Sequence, residues 1–157
     1  MRFLMLISAI LAFLMDQISK VLVVFYFDLK TIGYIEVFPP FLNLSMAWNY
    51  GVNFGLFSSS DSLQRWILTA LAVFVSAFIV IWMLREPPGR LGHISAGLLI
   101  GGALGNAIDR LLYGAVADFL NMSCCGIDNP YAFNIADIAI FVGAIGLAFF
   151  NSPKKSA

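Results

Sequence analysis

Four long apolar runs constrain this chain more than any other feature. Residues 3–27, 63–84, 91–113 and 133–150 are each predominantly hydrophobic. About 20 such residues, rising ~1.5 Å each in a helix, cover the ~30 Å hydrocarbon core of a bilayer. The last run is the shortest and spans only if it stands upright. Only 11 % of the chain is charged and its mean hydropathy is +0.89, whereas soluble domains are about 25 % charged. The expected fold is a single integral membrane domain over 1–157, all-α, with four transmembrane helices and a small β-structured surface segment over 28–62. In that segment TIGYIEVF and FLNLSMAW flank Pro39 and Pro40 and read as two short strands with a turn between them.

The charges set the orientation. Four spans place both ends on one side, and Arg2, Arg85, Arg90, Lys154 and Lys155 all fall there, while the opposite loops hold only Lys30 and the helix-edge Arg65. By the positive-inside rule both termini are cytoplasmic, and the final seven residues form a frayed tail. Arg2 and the apolar run to Met15 look like the start of a signal peptide, but no small-residue cleavage site closes the run and hydrophobicity resumes through Phe27; an uncleaved first helix is expected. Nine basic and nine acidic residues cancel, so nothing points to nucleic acid. The adjacent pair Cys124 and Cys125 suits neither a disulfide nor a metal knuckle, and a lone His93 with no HExxH argues against zinc; no metal and no cofactor are expected. Phe38, Phe41, Trp48, Phe54 and Phe57 form an interfacial aromatic layer, either anchoring the helices or touching substrate.

Ionisable side chains inside a bilayer cost several kcal/mol and require a reason. Asp16 lies about 13 residues along the first span, ~20 Å deep, with Lys20 one turn further out. Asn106, Asp109 and Arg110 lie ~22 Å or more along the third span, Asp118 follows at its outer rim, and Asn134 and Asp137 open the fourth, which runs back inward. Polar groups from three helices therefore converge at one level in the outer leaflet, while the inner half stays apolar. Asp16 with Lys20 can be a neutralising ion pair or part of a site. Asp109 and Arg110 point about 100° apart, so Arg110 is expected to pair across helices. The ladder Gly97, Gly101, Gly105 reads as close helix packing.

Asp118 and Asp137 are expected at the same rim, and neither has a basic neighbour within a helical turn in sequence. Two close carboxyls do not both ionise cheaply, so one serves as base and the other as acid around a water. That is the chemistry of an aspartic peptidase, with no metal and no covalent intermediate. Three other readings stand beside it. A small proton- or ion-coupled transporter would also use intramembrane charges, but the bare inner half offers no polar path. A Ser-Lys peptidase would use Lys20 with a loop serine such as Ser45, because Ser19 points elsewhere on the helix. A structural scaffold would leave the carboxyl pair unexplained.

The ordered blocks DQISK (16–20), NYGVNFG (49–55), GNAIDRLLYGAVADF (105–119) and FNIAD (133–137) resemble the bacterial lipoprotein signal peptidase family, signal peptidase II, over nearly the whole chain. The resemblance implies that Asp118 and Asp137 are the catalytic dyad, and that Asp16, Asn49, Asn106, Arg110 and Asn134 form the polar shell that shapes the site; Lys20 and Asp109, at the same depth, are counted with that shell, Asp109 in a structural role. The surface segment becomes a β-cradle with Gly51 and Phe54 in a flap, where Asn53 departs from the family's small apolar residue. The implied substrate is a diacylglyceryl-modified prolipoprotein, cut on the amino side of its lipidated cysteine. The implied setting is the bacterial inner (cytoplasmic) membrane, with the active site near the outer leaflet and membrane lipid and globomycin-type inhibitors as further ligands. A monomer is the expected working unit.

Overall fold

The computed structural model describes residues 1–39, 41–51, 61–124, 126 and 129–150. Its elements run α1 (Arg2–Lys20), a π-helical turn (Val21–Tyr26), α2 (Leu29–Ile32), β1 (Tyr34–Phe38), β2 (Leu42–Asn49), α3 (Asp61–Arg85), α4 (Arg90–Tyr113), β3 (Val116–Asn121) and α5 (Ile135–Phe150). Three stretches, Arg2–Tyr26, Leu63–Arg85 and Arg90–Tyr113, are long and apolar enough to cross a membrane, and Ile135–Phe150 is a shorter apolar helix. The molecule is thus mostly helical, with three candidate spans and one small sheet. Phe74, Phe78, Phe141 and Phe149 stand exposed on the outer faces of α3 and α5, where lipid rather than water suits them.

Helix α4 is the central element. It packs against α1, α3 and α5, and 67 % of its apolar window is buried, against 28 % for α1 and 22 % for α3. Its glycines explain how the neighbours come so close. A Cβ on Gly97 or Gly101 would run into the α1 backbone at Met5 and Ala9, and one on Gly102 would meet the Ala136 carbonyl of α5. The ladder read from sequence is therefore a packing face, with a second face one residue on. Gly105 also leaves room for chemistry, since a Cβ there would lie 2.7 Å from Asp16 Oδ2. At the far end Ile79, Met83, Ala96, Ile100 and Leu147 close an apolar core.

The first span departs from a plain helix. After Lys20 the hydrogen bonding widens to the π pattern through Tyr26, and such π segments occur most often at functional sites. Beyond it, Val24 and Leu29 pack with Ala117 and Phe119 in a second core beneath the sheet.

The sheet is antiparallel in the order β1-β2-β3. β1 and β2 are the two strands expected from the surface segment. β3 falls between the third and fourth apolar runs, where the sequence predicts no strand. Gly114, left-handed at φ 82°, ends α4 and returns its N–H to the Arg110 carbonyl at 3.1 Å, the usual glycine stop of a helix. The chain then pairs with β2 in the register Asn49↔Val116, Trp48↔Ala117, Ala47↔Asp118. Phe133 extends this pairing, because its N–H and carbonyl bond to Leu120 at 3.0 and 2.8 Å. That link carries the start of α5 alongside β3.

Candidate active site

The site lies where β3, the start of α5 and the outer turns of α1 and α4 meet. Asn134 is the residue before α5 and Asp137 is in its first turn. The Asn134 N–H donates to Asp137 Oδ2 (3.1 Å) and the Asp137 N–H donates to Asn134 Oδ1 (2.9 Å), a reciprocal capping box written with Asn and Asp. Local sequence alone thus fixes Asp137 on its helix. The Asn134 amide also donates to Asp118 Oδ1 at 2.6 Å, so one residue holds both carboxyls. The remaining carboxyl oxygens are also taken, Asp118 Oδ2 by the Asn49 amide (3.0 Å) and Asp137 Oδ1 by the Asn106 amide (2.8 Å).

Asp118 is 3 % exposed while Asp137 is half-buried. Burial, followed by the nearby Asp137 charge, pushes the Asp118 carboxyl up to about 6, against the pull of its bonds to Asn49 and Asn134 and of Lys20. This pair can hold one proton between an acid and a base at near-neutral pH.

Beneath the pair lies a second polar layer. Lys20 Nζ bridges Asp16 Oδ2 (2.8 Å) and Asp109 Oδ2 (2.7 Å) and donates to Asn106 Oδ1 (3.2 Å). Asp16 Oδ1 accepts the Ala136 N–H at 3.0 Å, and Asp109 Oδ2 accepts the Ala117 N–H at 3.1 Å. Both aspartates are fully buried. One ties α1 to α5 and the other ties α4 to β3, beside the residue that precedes Asp118. Asp109, the residue with the least obvious role in the sequence, is therefore a strut of the strand that carries Asp118. Gln17 performs a similar task unforeseen from sequence: its amide bridges Asp16 Oδ2 (3.0 Å), Asp109 Oδ1 (3.1 Å) and the Gly105 carbonyl (3.3 Å). Its only signal was its position beside Asp16.

One expectation requires correction. Among the described residues Arg110 makes no ion pair across helices. Its guanidinium reaches back to the Asn106 carbonyl of its own helix at 3.4 Å, and its buried Nε has no partner. The cation that pairs across helices is Lys20, whose flexible stem reaches two carboxylates at once. The Ser-Lys alternative finds no support either: the Lys20 ammonium nitrogen contacts Asp16, Asp109 and Asn106 and no serine among the described residues, and the Ser19 hydroxyl bonds the Asp16 carbonyl at 2.7 Å. Gly51 follows β2 with φ 110°, its N–H on Asn49 Oδ1 at 2.9 Å. Phe54, Asn53, Phe57, Asp128 and Cys125 lie outside the described residues. Phe38 and Phe41 stack at 5.7 Å on the exposed strand turn, and Trp48 packs on Tyr113 at 5.8 Å.

With this arrangement in view, the family model described as Signal peptidase (SPase) II matches residues 8–151. The chain belongs to the signal peptidase II family. Among curated relatives, the lipoprotein signal peptidase of Nitrobacter hamburgensis is 40 % identical, covering 96 % of this chain and 94 % of its own. That of Rhodopseudomonas palustris is 41 % identical over 91 % and 88 %, and that of Shewanella amazonensis 42 % over 94 % and 86 %. A bacterial membrane enzyme solved by the in meso method at 1.9 Å superposes with a TM-score of 0.76 at 29 % identity, covering 92 % of this chain and 89 % of that one. A second, at 2.3 Å, gives 0.72 at 27 % identity, covering 98 % and 93 %. The family is one of membrane peptidases, and the transporter reading gains no support from these comparisons.

Proposed function

We propose that this chain is an aspartic endopeptidase that removes signal peptides from diacylglyceryl-modified prolipoproteins, cutting on the amino side of the lipidated cysteine, with Asp118 and Asp137 as its catalytic pair. The observation that carries the reading is Asn134, which holds both carboxyls at once.

In this reading Asp137 is the base. Its place at the start of α5 favours negative charge, and it is the less buried of the two carboxyls. It takes a proton from water as the oxygen attacks the scissile carbonyl carbon. Asp118, whose carboxyl sits at about 6, supplies its proton to the carbonyl oxygen; an acid works best with a pKa near the operating pH. The tetrahedral diol then collapses. Asp137 gives its proton to the departing amine while Asp118 recovers one from the diol, and a carboxylic acid and an amine leave. Arg110, with a free Nε beside this site, is a donor for substrate carbonyls. Asn49, Asn106 and Asn134 orient the pair, and Asp16, Lys20 and Asp109 hold the floor. Gly51 belongs to the flap that the resemblance implies.

The same reading counts α5 as a fourth span, ~24 Å long and upright, placing both termini in the cytoplasm and the site at the outer leaflet of the bacterial inner membrane. The enzyme acts as a monomer, and a globomycin-type lipopeptide occupies the cleft between the carboxyls and the lipid. The test is cleavage of a diacylglyceryl-modified precursor by reconstituted protein. Asp118→Asn and Asp137→Asn each reduce turnover by more than about 1,000-fold while the protein still inserts and elutes as the parent does. Full turnover by either variant refutes the pair, and loss on Lys20→Met with activity intact in Asp137→Asn would favour a serine mechanism.

A further inference from the structure

At the opposite end of the bundle, a cavity of about 740 Å³ opens between the start of α1 and the α3–α4 turn, lined by Arg2, Phe3, Arg85, Glu86, Pro88 and His93 among others. It lies far from the carboxyls, since His93 and Asp109 are 16 residues apart on α4, ~24 Å. Its charges are unspent. Neither Arg2 nor Arg85 has an ion-pair partner among the described residues, and Glu86 accepts instead from the Trp82 indole at 3.3 Å.

His93 is the telling residue. It is 1 % exposed, and its Nδ1 lies 3.0 Å from the Gly89 carbonyl, while its buried Nε2 has no partner. A carbonyl only accepts, so Nδ1 carries the hydrogen, and in the neutral ring Nε2 is an unmet acceptor. Buried polar atoms are rarely left this way. The cavity is therefore lined by two arginine donors for an anion, with the unmet His93 acceptor buried in its wall. The α4 N-terminus beside it has no side-chain cap, and the exposed apolar side chains of Phe3, Leu6, Leu84 and Leu91 continue from the cavity onto the lipid-facing surface.

We infer that this cavity binds the headgroup of an anionic phospholipid, with the phosphate between Arg2 and Arg85 and a headgroup hydroxyl on His93 Nε2. Acyl chains then run along the outer faces of α1, α3 and α4. Basic pockets between transmembrane helices bind phospholipid headgroups in this manner. A hydroxyl-bearing phosphodiester such as phosphatidylglycerol meets all three groups. Phosphatidylcholine offers no hydroxyl donor and carries a balancing cation, and inorganic phosphate carries no chains.

The test uses the full chain in nonionic detergent, with lipid adducts counted by native mass spectrometry and dissociation constants obtained by titration. Phosphatidylglycerol should bind at least about fivefold more tightly than phosphatidylcholine, and Arg2→Gln or Arg85→Gln should each cost about fivefold. Both arginines are exposed, so these variants fold even if His93→Phe does not. Where His93→Phe folds, it should erase the preference for a hydroxyl headgroup over its methylated phosphate analogue. Equal affinity for the two lipids, or unchanged affinity in both arginine variants, overturns the inference. So does competition by millimolar inorganic phosphate, which would make this a site for the free anion. Turnover of precursor should be unchanged in Arg2→Gln and Arg85→Gln.

Discussion

Asp118 is the residue at which folding and chemistry pull against each other. Its carboxyl titrates near 3.8 when unfolded and about 6 in place, raised first by burial and then by Asp137. The native state therefore holds a proton that the unfolded chain has released, and stability falls as pH rises through the window from about 4 to 6. That gap corresponds to about 3 kcal/mol. Replacing the group by Asn removes the penalty at neutral pH. Asp118→Asn should melt above the parent at pH 7, with the difference shrinking toward pH 4, as read by thermal unfolding in detergent. A parent that gains stability over Asp118→Asn as pH rises from 4 to 7 would contradict the burial account. Lys20 shows the reverse case. Removing it leaves Asp16 and Asp109 buried beside each other without a cation, and Lys20→Met should cost about 3–5 kcal/mol. The loss appears as reduced monodisperse protein on size exclusion, and Asp109→Asn in the same chain should restore part of it.

At the scale of elements, the geometry of the Asp118–Asp137 pair rests on two short backbone devices, the capping box that begins α5 and the pairing of Phe133 with β3. Asn134→Ala removes the cap, worth about 0.5–2 kcal/mol, together with the side-chain amide that donates to Asp118 Oδ1. Melting temperature should fall modestly, while kcat falls by more than about tenfold with KM little changed. Equal loss in both readouts, tracking only the folded fraction, would reduce Asn134 to a cap. Four helical runs and two strands were legible because apolar length and alternation are local signals. β3 was not legible. Its six residues, VADFLN, are almost wholly buried and lack alternating polarity, so only the partner strand identifies them as a strand. The π-helical turn after Lys20 likewise has no sequence signal in a uniformly apolar run.

For the molecule as a whole, the four-span reading places the α1 start and the α3–α4 turn on one membrane face and the β3–α5 loop on the other. Cys124 is exposed in that loop. In intact spheroplasts a membrane-impermeant maleimide should label the native chain, whereas Arg2→Cys in a background with Cys124 and Cys125 changed to Ser should label only after permeabilisation. Labelling of both without permeabilisation would rule out the arrangement.

Depth along each helix follows from counting residues, so the sequence alone determined that Asp16, Asn106, Asp109, Arg110, Asp118, Asn134 and Asp137 gather near one end of the bundle, and capping chemistry determined how Asn134 and Asp137 meet. Which groups pair across elements was decided only by the fold. Lys20 rather than Arg110 became the bridging cation, Gln17 and Asp109 became struts, and His93, with its unmet acceptor, came to line one cavity with two arginines from other helices. The reason is rotational: sequence fixes how far along its axis a side chain lies, but helix packing, set here by the glycine faces of α4, fixes which neighbour it faces.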